Sequence, residues 1–195
     1  MPQAGHSVPE RVRPGSLLVS GTDLTEPVFR RTVIYMIEHN DAGSLGVVVN
    51  RPSDTAVRHV LPQWSALAAR PGVLYVGGPV KRDAAMCLAT VRRGARVDHV
   101  PGLRRVDGRV ALVDLDTDPA VVAPFLEAIR VFAGYAGWSF GQLDRELDRE
   151  DWTVLSALPS DVMEPAGVDV WAKVLRRQPI PLALRASHPI EIERN

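Results

Sequence analysis

Short apolar runs that alternate with turn signals mark the first half of the chain. The runs are rich in β-branched and aromatic residues, which favour strands. They occupy residues 17–19, 32–38, 45–49, 73–76 and 85–91. Turn residues at 40–43 separate the second run from the third, and Asp107-Gly108 precedes another apolar run at 110–113. Each of these two turns predicts a β-hairpin.

Helical patterns are concentrated in the second half. The TDP segment at 117–119 offers a capping side chain followed by proline, which is typical of a helix start. Phe125, Ile129 and Phe132 then recur at helical spacing, and Gly134 is placed to end that helix. Further elements are predicted as a short helix capped by Ser53 or Asp54 and ending at Leu61, helices at 142–151 and 168–178, and a strand at 152–155. The order predicts a single α+β domain in which strands precede helices.

Length and composition narrow the class of protein. The 195 residues predict one domain, placed at 15–195, after a polar, proline-rich segment 1–14 that is predicted to be disordered or extended. The 23 basic and 23 acidic residues balance, which argues against nucleic acid and anionic membranes as partners. No apolar run approaches the ~18 residues of a membrane span. A single cysteine, Cys87, allows no internal disulfide. We therefore expect a cytoplasmic protein whose partner is a small molecule, another protein or a second copy of the chain.

A serine-nucleophile pattern occurs at residues 137–141 (GWSFG). It matches G-x-S-x-G, in which a sharp strand-to-helix turn exposes the serine. Ser139 is followed in the chain by Asp161 or Asp169 and then by His188, which is the order of a serine esterase. However, a predicted helix precedes the pattern where a strand is needed, and the sequence has no upstream His-Gly oxyanion loop. The esterase is therefore the alternative hypothesis.

Motifs for metals and cofactors are missing from the sequence. Glu38 and His39 are adjacent, and neighbouring strand residues point to opposite faces, so they do not predict a shared metal site. Cys87 lies in an apolar run, where a thiol is expected to be inert. No CxxC, HExxH, Walker A or GxGxxG pattern occurs. We predict no metal and no cofactor, and we favour a protein that is not an enzyme.

Several short motifs follow one another in a fixed order between residues 15 and 155. They are GSLLV at 15–19, FRRTV at 29–33, Glu38-His39, GVVVNRP at 46–52, YVGGPV at 75–80, GYAGW at 134–138 and GQLD at 141–144. Taken together, they resemble the YqgE/AlgH family of bacterial proteins.

The resemblance implies a bulged, strongly curved, mostly antiparallel sheet flanked by helices. The family's biochemical activity is not established, and its occasional label as a transcriptional regulator is supported by no DNA-binding element in this sequence. The family pattern has Gly-x-Gly-Gln after the tryptophan, whereas this chain has Ser139-Phe140-Gly141. That difference further weakens the esterase hypothesis.

The signature residues lead to two hypotheses, which one sequence does not separate. In the first they bind a ligand or partner, and Arg51, His39 and Trp138 should then converge on one pocket. In the second they brace the curved sheet, with glycines at bulges, Trp138 in the core and Arg31 or Arg51 paired with Glu38. We favour a non-catalytic binding protein with a regulatory role. The candidate binding residues are Arg31, Glu38, His39, Asn50, Arg51, Gly77, Gly78, Trp138 and Gln142.

Overall fold

The structure, a computed structural model, describes residues 10–24 and 26–188, and β-strands form most of its framework. The strands are β1 (Ser16–Ser20), β2 (Val33–Asn40), β3 (Gly43–Val48), β4 (Pro52–Ala56), β5 (Val73–Val76), β6 (Val80–Val91), β7 (Leu103–Asp107), β8 (Val110–Val113), β9 (Leu126–Trp138) and β10 (Trp152–Ser156). The predicted hairpins are both present, as β2–β3 and β7–β8.

The helices are short, and four of the five described ones follow β8 in the chain. They are α1 (Val57–Val60), α2 (Pro119–Val122), α3 (Gln142–Asp148), α4 (Pro159–Val162) and α5 (Val170–Arg176), with 3₁₀ turns at Pro62–Leu67, Ala123–Phe125 and Leu182–Ser187. Asp118 caps α2 by accepting a 2.9 Å hydrogen bond from the Ala120 N–H. The capping prediction for Ser53 or Asp54 is wrong, because β4 occupies those positions and no side chain caps α1.

The sheet is built around β9. The strand order is β10-β1-β2-β3-β9-β6-β8-β7, and β5 pairs with both β4 and β9. All the pairings are antiparallel except β5 with β9. The result is one α+β domain with a curled, bulged sheet and several helices, as the sequence predicted. Among the described helices, none has the length and apolar character needed to cross a membrane.

The helix predicted from Phe125, Ile129 and Phe132 is wrong, because Phe125 ends a 3₁₀ turn and the other two residues lie in the longest strand, β9. Ile129 belongs to one apolar cluster and Phe132 to another, so core residues cover both faces of the strand. A strand buried on both faces is apolar almost continuously, and such a run also satisfies helical spacing. Strands therefore do not simply precede helices along the chain.

Gly134 does adopt the left-handed conformation expected of it, with φ +72°, but inside a strand and not at a helix end. A side chain there would lie 2.6 Å from the carbonyl oxygen of Gly78. Conversely, a side chain at Gly77 or Gly78 would overlap the backbone of residues 134–136. The turn after β5 and the Gly134 segment of β9, which lies opposite a bulge in β6 between residues 80 and 85, therefore pack backbone against backbone, which only glycine permits.

Two apolar layers enclose the β1–β2–β3 part of the sheet. One face of these strands, with Leu17 and Tyr35, packs against Trp171 and Val174 of α5. The opposite face packs against a layer that includes Trp138, Leu143 and Trp152. Alternate residues of each strand serve the two layers, as the period of two requires.

The predicted N-terminal segment 1–14 lies largely outside the described residues. Of its described part, residues 10–13 form no helix or strand. The boundary at residue 15 therefore stays a prediction.

The glycine contact provides a first test. We expect Gly134→Ala to lower the free energy of unfolding by about 3 kcal/mol or more, because left-handed strain of about 1–2 kcal/mol adds to the backbone clash. Gly72→Ala is the matched control, since Gly72 has φ +73° but no atom within 4 Å of an added side chain. Urea unfolding of both variants measures the difference. Equal losses would show that the β9 contact is looser than described.

Candidate functional site

Arg31 connects the start of β2 to the C-terminal helix. Its guanidinium forms an ion pair with Asp169, donates a 3.0 Å hydrogen bond to the His188 carbonyl, and lies 4.2 Å from the ring centre of Trp171. These contacts use both the charge and the flat face of the side chain. Arg31 thus holds α5 against the sheet.

Asn50 also braces the structure, through hydrogen bonds from its side chain to the backbone. Its amide group donates to the Arg31 carbonyl at 2.8 Å, and its side-chain oxygen accepts from the Val33 N–H at 3.1 Å. A single side chain therefore ties the end of β3 to the start of β2.

Arg51 differs from these two residues because its charge has no acidic partner among the described residues. Its Nη atoms donate to the carbonyls of Pro27 (3.3 Å) and Arg30 (3.0 Å) and to the hydroxyl of Thr32 (2.8 Å). Its buried Nε–H has no hydrogen-bond partner there. Burial lowers the pKa of the Arg51 guanidinium, with no carboxylate to oppose the effect.

A cavity of about 220 Å³ adjoins Arg51, and we call it the Arg51 cavity. Val48 and Val76 contribute apolar surface from the sheet, and Pro27 and Val28 close the cavity from the loop before β2. The remaining lining residues are Arg51, Gly78, Pro79 and Arg82. The cavity thus combines two cations with apolar walls and has no carboxylate in its lining.

Glu38 and His39 lie at the far end of the β2–β3 hairpin, beside a bulge in β2 between residues 36 and 38. Glu38 accepts a 3.0 Å hydrogen bond from the Arg104 guanidinium, so the predicted pairing of Glu38 with Arg31 or Arg51 is wrong. His39 Nδ1 lies 2.7 Å from the Ser44 hydroxyl. Both side chains line a polar cavity of about 350 Å³. Within the described residues, no group of three His, Cys, Asp or Glu side chains is arranged to hold a metal ion.

Trp138 and Gln142 join a network centred on a residue that the sequence analysis missed. One Glu146 oxygen accepts 2.8 Å hydrogen bonds from the indole N–H groups of Trp138 and Trp152, and the other accepts from Gln142 at 3.0 Å. The two indole rings meet edge to face. The only sequence signal was the spacing of four between Gln142 and Glu146, which places both on one face of α3.

The three residues expected to converge on one pocket line three different cavities. Arg51 borders the cavity described above, and His39 borders the 350 Å³ cavity. Trp138 borders a third cavity, of about 420 Å³, together with Glu38 and Tyr135. Gly78 is the one other candidate residue in the lining of the Arg51 cavity.

Ser139 does follow a strand and precede a helix, because β9 ends at Trp138 and α3 begins at Gln142. Its hydroxyl nevertheless faces the Gln142 side chain, at 3.4 Å. His188 contacts Arg31 before β2, whereas Trp138 pairs with Ser44, which itself pairs with His39 near the end of β2. Ser139 and His188 thus lie at opposite ends of a strand on the order of 20 Å long.

Cys87 is fully buried, and burial raises the pKa of its thiol, so the group is held in its unreactive protonated form.

Comparison with known proteins places this fold and these motifs in one family. A family profile described as AlgH-like matches residues 17–183. This chain belongs to the YqgE/AlgH family. A UPF0301 protein of Rhodococcus erythropolis is 73% identical over 184 residues, which cover 94% of this chain and 92% of the relative. A UPF0301 protein of Mycobacterium avium is 63% identical over 186 residues, which cover 95% and 92%.

Two solved structures of YqgE/AlgH relatives share the architecture. The crystal structure of a Corynebacterium diphtheriae protein matches with a TM-score of 0.90 and 38% identity, covering 93% of this chain and 95% of that one. The solution structure of AlgH from Pseudomonas aeruginosa matches with a TM-score of 0.65 and 26% identity, covering 91% and 97%. The names of these relatives state no reaction.

The Glu146 network yields a stability prediction. We expect Glu146→Ala to cost about 2–4 kcal/mol, because it leaves two buried indole N–H groups without an acceptor. Glu146→Gln, which keeps a side-chain oxygen, should cost less. Asp148→Ala, at an exposed position of the same helix, is the control and should stay within about 0.5 kcal/mol. Chemical unfolding followed by tryptophan emission reports all three, and a neutral Glu146→Ala would contradict the network.

The separation of Ser139 from His188 yields a catalytic prediction. Ser139→Ala should hydrolyse p-nitrophenyl acetate at the rate of the unchanged protein, because the hydroxyl bonds the Gln142 amide, which is not a base that could activate it. Initial rates with freshly purified samples of both proteins measure this. A tenfold or larger decrease would restore the esterase hypothesis.

Proposed function

We infer that this protein is a non-catalytic, cytoplasmic binding protein and that its ligand is a small anion held in the Arg51 cavity. The observation that carries the proposal is the incomplete pairing of Arg51. A guanidinium has five N–H donors, and three are used by the loop before β2. A buried donor without a partner is costly, and a bound ion or water is an established explanation for one.

The contrast with Arg31 supports this choice of site. Arg31 is neutralised by Asp169, and its ring contact and carbonyl contact account for the rest of its environment. Arg51 donates only to neutral carbonyl and hydroxyl groups, so no carboxylate neutralises its charge and the charge stays available to an anion. Arg82, on the rim of the same cavity, forms no ion pair among the described residues and adds a second positive charge.

The way the cavity is connected supports a regulatory role. The 26–32 loop contributes Pro27 and Val28 to the cavity, and the same loop carries Arg31, which contacts α5. An anion that strengthens the hold of Arg51 on this loop would also stabilise the contact with the C-terminal helix. The balanced net charge gives no support to DNA as the partner.

Nuclear magnetic resonance tests the site directly. The Arg51 Nε–H gives its own ¹H–¹⁵N resonance, and we expect acetate and inorganic phosphate to shift it, together with the Gly78 amide, in a saturable manner at millimolar concentration. Arg51→Lys keeps a positive charge but loses the planar guanidinium, so it should weaken the binding of both anions at least fivefold.

The control variant is Arg93→Gln. Arg93 is exposed and follows the end of β6 that is opposite to Arg82, so its loss removes one charge without touching the cavity. Both anions should bind this variant as they bind the unchanged protein. If neither anion moves the Arg51 or Gly78 resonances, or if Arg93→Gln and Arg51→Lys weaken binding equally, the proposal is wrong.

A further inference from the structure

The Arg51 cavity has a polar end and an apolar end, and this division limits the ligand. The cations of Arg51 and Arg82 represent the polar end. The apolar lining comes from five side chains, those of Pro27, Val28, Val48, Val76 and Pro79. A ligand that fills this space must therefore present both a negative charge and an apolar group.

Size sets the second limit. At about 220 Å³, the cavity is smaller than the ~300–1,000 Å³ of pockets for drug-sized ligands. It equals roughly seven water molecules at ~30 Å³ each. A short acyl chain or a single ring fits in such a space.

The form of the charge sets the third limit. Both Nη2 hydrogens of Arg51 are taken by the Arg30 carbonyl and the Thr32 hydroxyl, so its Nε–H is left as a single charge-assisted donor for one carboxylate oxygen. Beyond Arg51 and Arg82 the cavity lining has no charged donor, so the remaining oxygens of a phosphate dianion would find few partners. One negative charge is therefore favoured over two.

We propose that the ligand of the Arg51 cavity is a small amphipathic monocarboxylate, with its carboxylate at Arg51 and its short aliphatic or aromatic tail against Val28, Val48 and Val76. This inference rests on the proposed function, because it assigns the chemical class of the same ligand. Val28 is 44% exposed and stands on the 26–32 loop, so the tail covers apolar surface that now faces solvent. The loop closes over the tail while Arg51 holds both the loop and the carboxylate.

A graded series of carboxylates tests the class. The probes are acetate, isovalerate and benzoate, with benzyl alcohol as the uncharged match for benzoate and inorganic phosphate as the match without a tail. The readout is the titration of the Arg51 Nε–H and Gly78 amide resonances in the full chain. We expect isovalerate and benzoate to bind at least tenfold more tightly than acetate or phosphate, because only they bury an apolar tail. Benzyl alcohol should bind at least tenfold more weakly than benzoate.

Two surface variants separate the contribution of the ligand's carboxylate to binding from that of its apolar tail. Val28→Ser should remove most of the advantage of isovalerate over acetate and leave acetate binding unchanged. Arg82→Gln should weaken the binding of every anion by a similar factor of about two to five, since it removes only a charge at the rim of the cavity. Both positions border solvent, and thermal unfolding confirms that each variant is folded.

The outcomes distinguish this inference from the proposed function. If acetate and phosphate bind at Arg51 but a longer tail gives no gain, the anion site stands and the amphipathic ligand is rejected. If phosphate binds more tightly than benzoate, the site is a phosphate site and the inference is equally rejected. If no anion moves the Arg51 resonance, both are wrong.

Discussion

The fold depends on one contact between backbones, in which the glycine turn after β5 lies against β9 at Gly134, opposite a bulge in β6. Because Gly77, Gly78 and Gly134 have no side chains, β5 can pair with β9 in parallel while the turn that follows β5 lies directly on the β9 backbone. Strand β9 pairs with β6 along residues 126–135 and with β3 along residues 136–138. A single strand thereby connects both halves of the curled sheet.

The same contact determines the shape of the candidate site. The turn continues from Gly78 into Pro79, which walls the Arg51 cavity, and the Val48 N–H donates to the Gly77 carbonyl at 2.8 Å. The glycines therefore brace the sheet and also fix one wall of the cavity. Ligand binding and bracing are for this reason compatible roles of the signature residues, and they divide by residue: Arg31 and Asn50 brace, whereas Arg51 retains unused donors.

The sequence was sufficient where a pattern is local and insufficient where it depends on the fold. The two hairpins were predicted because turn residues and alternating strands are adjacent in the chain. Strand β9 was mistaken for a helix because burial on both faces erases the alternation that identifies a strand. Gly134 was correctly expected to have a positive φ, yet its place inside a strand follows from contact with Gly78, 56 positions earlier in the chain. Glu146 was missed because its two indole partners are joined only by the packing of β9 and β10 against α3.

The environments of four arginines show why Arg51 stands apart. Asp161 binds Arg177 through both oxygens, and Asp169 pairs with Arg31, so these two charges are neutralised locally. Arg130 is almost fully buried, and burial lowers the pKa of its guanidinium, but Tyr75 and Glu164 oppose this effect and the side chain donates to three carbonyls. Each of these three arginines ties distant segments together, and each has an acidic group or an aromatic ring that favours its charge. Arg51 also ties a loop to the sheet, but no carboxylate pairs with it and an open cavity lies beside it. This arrangement is expected where a ligand supplies the missing negative charge.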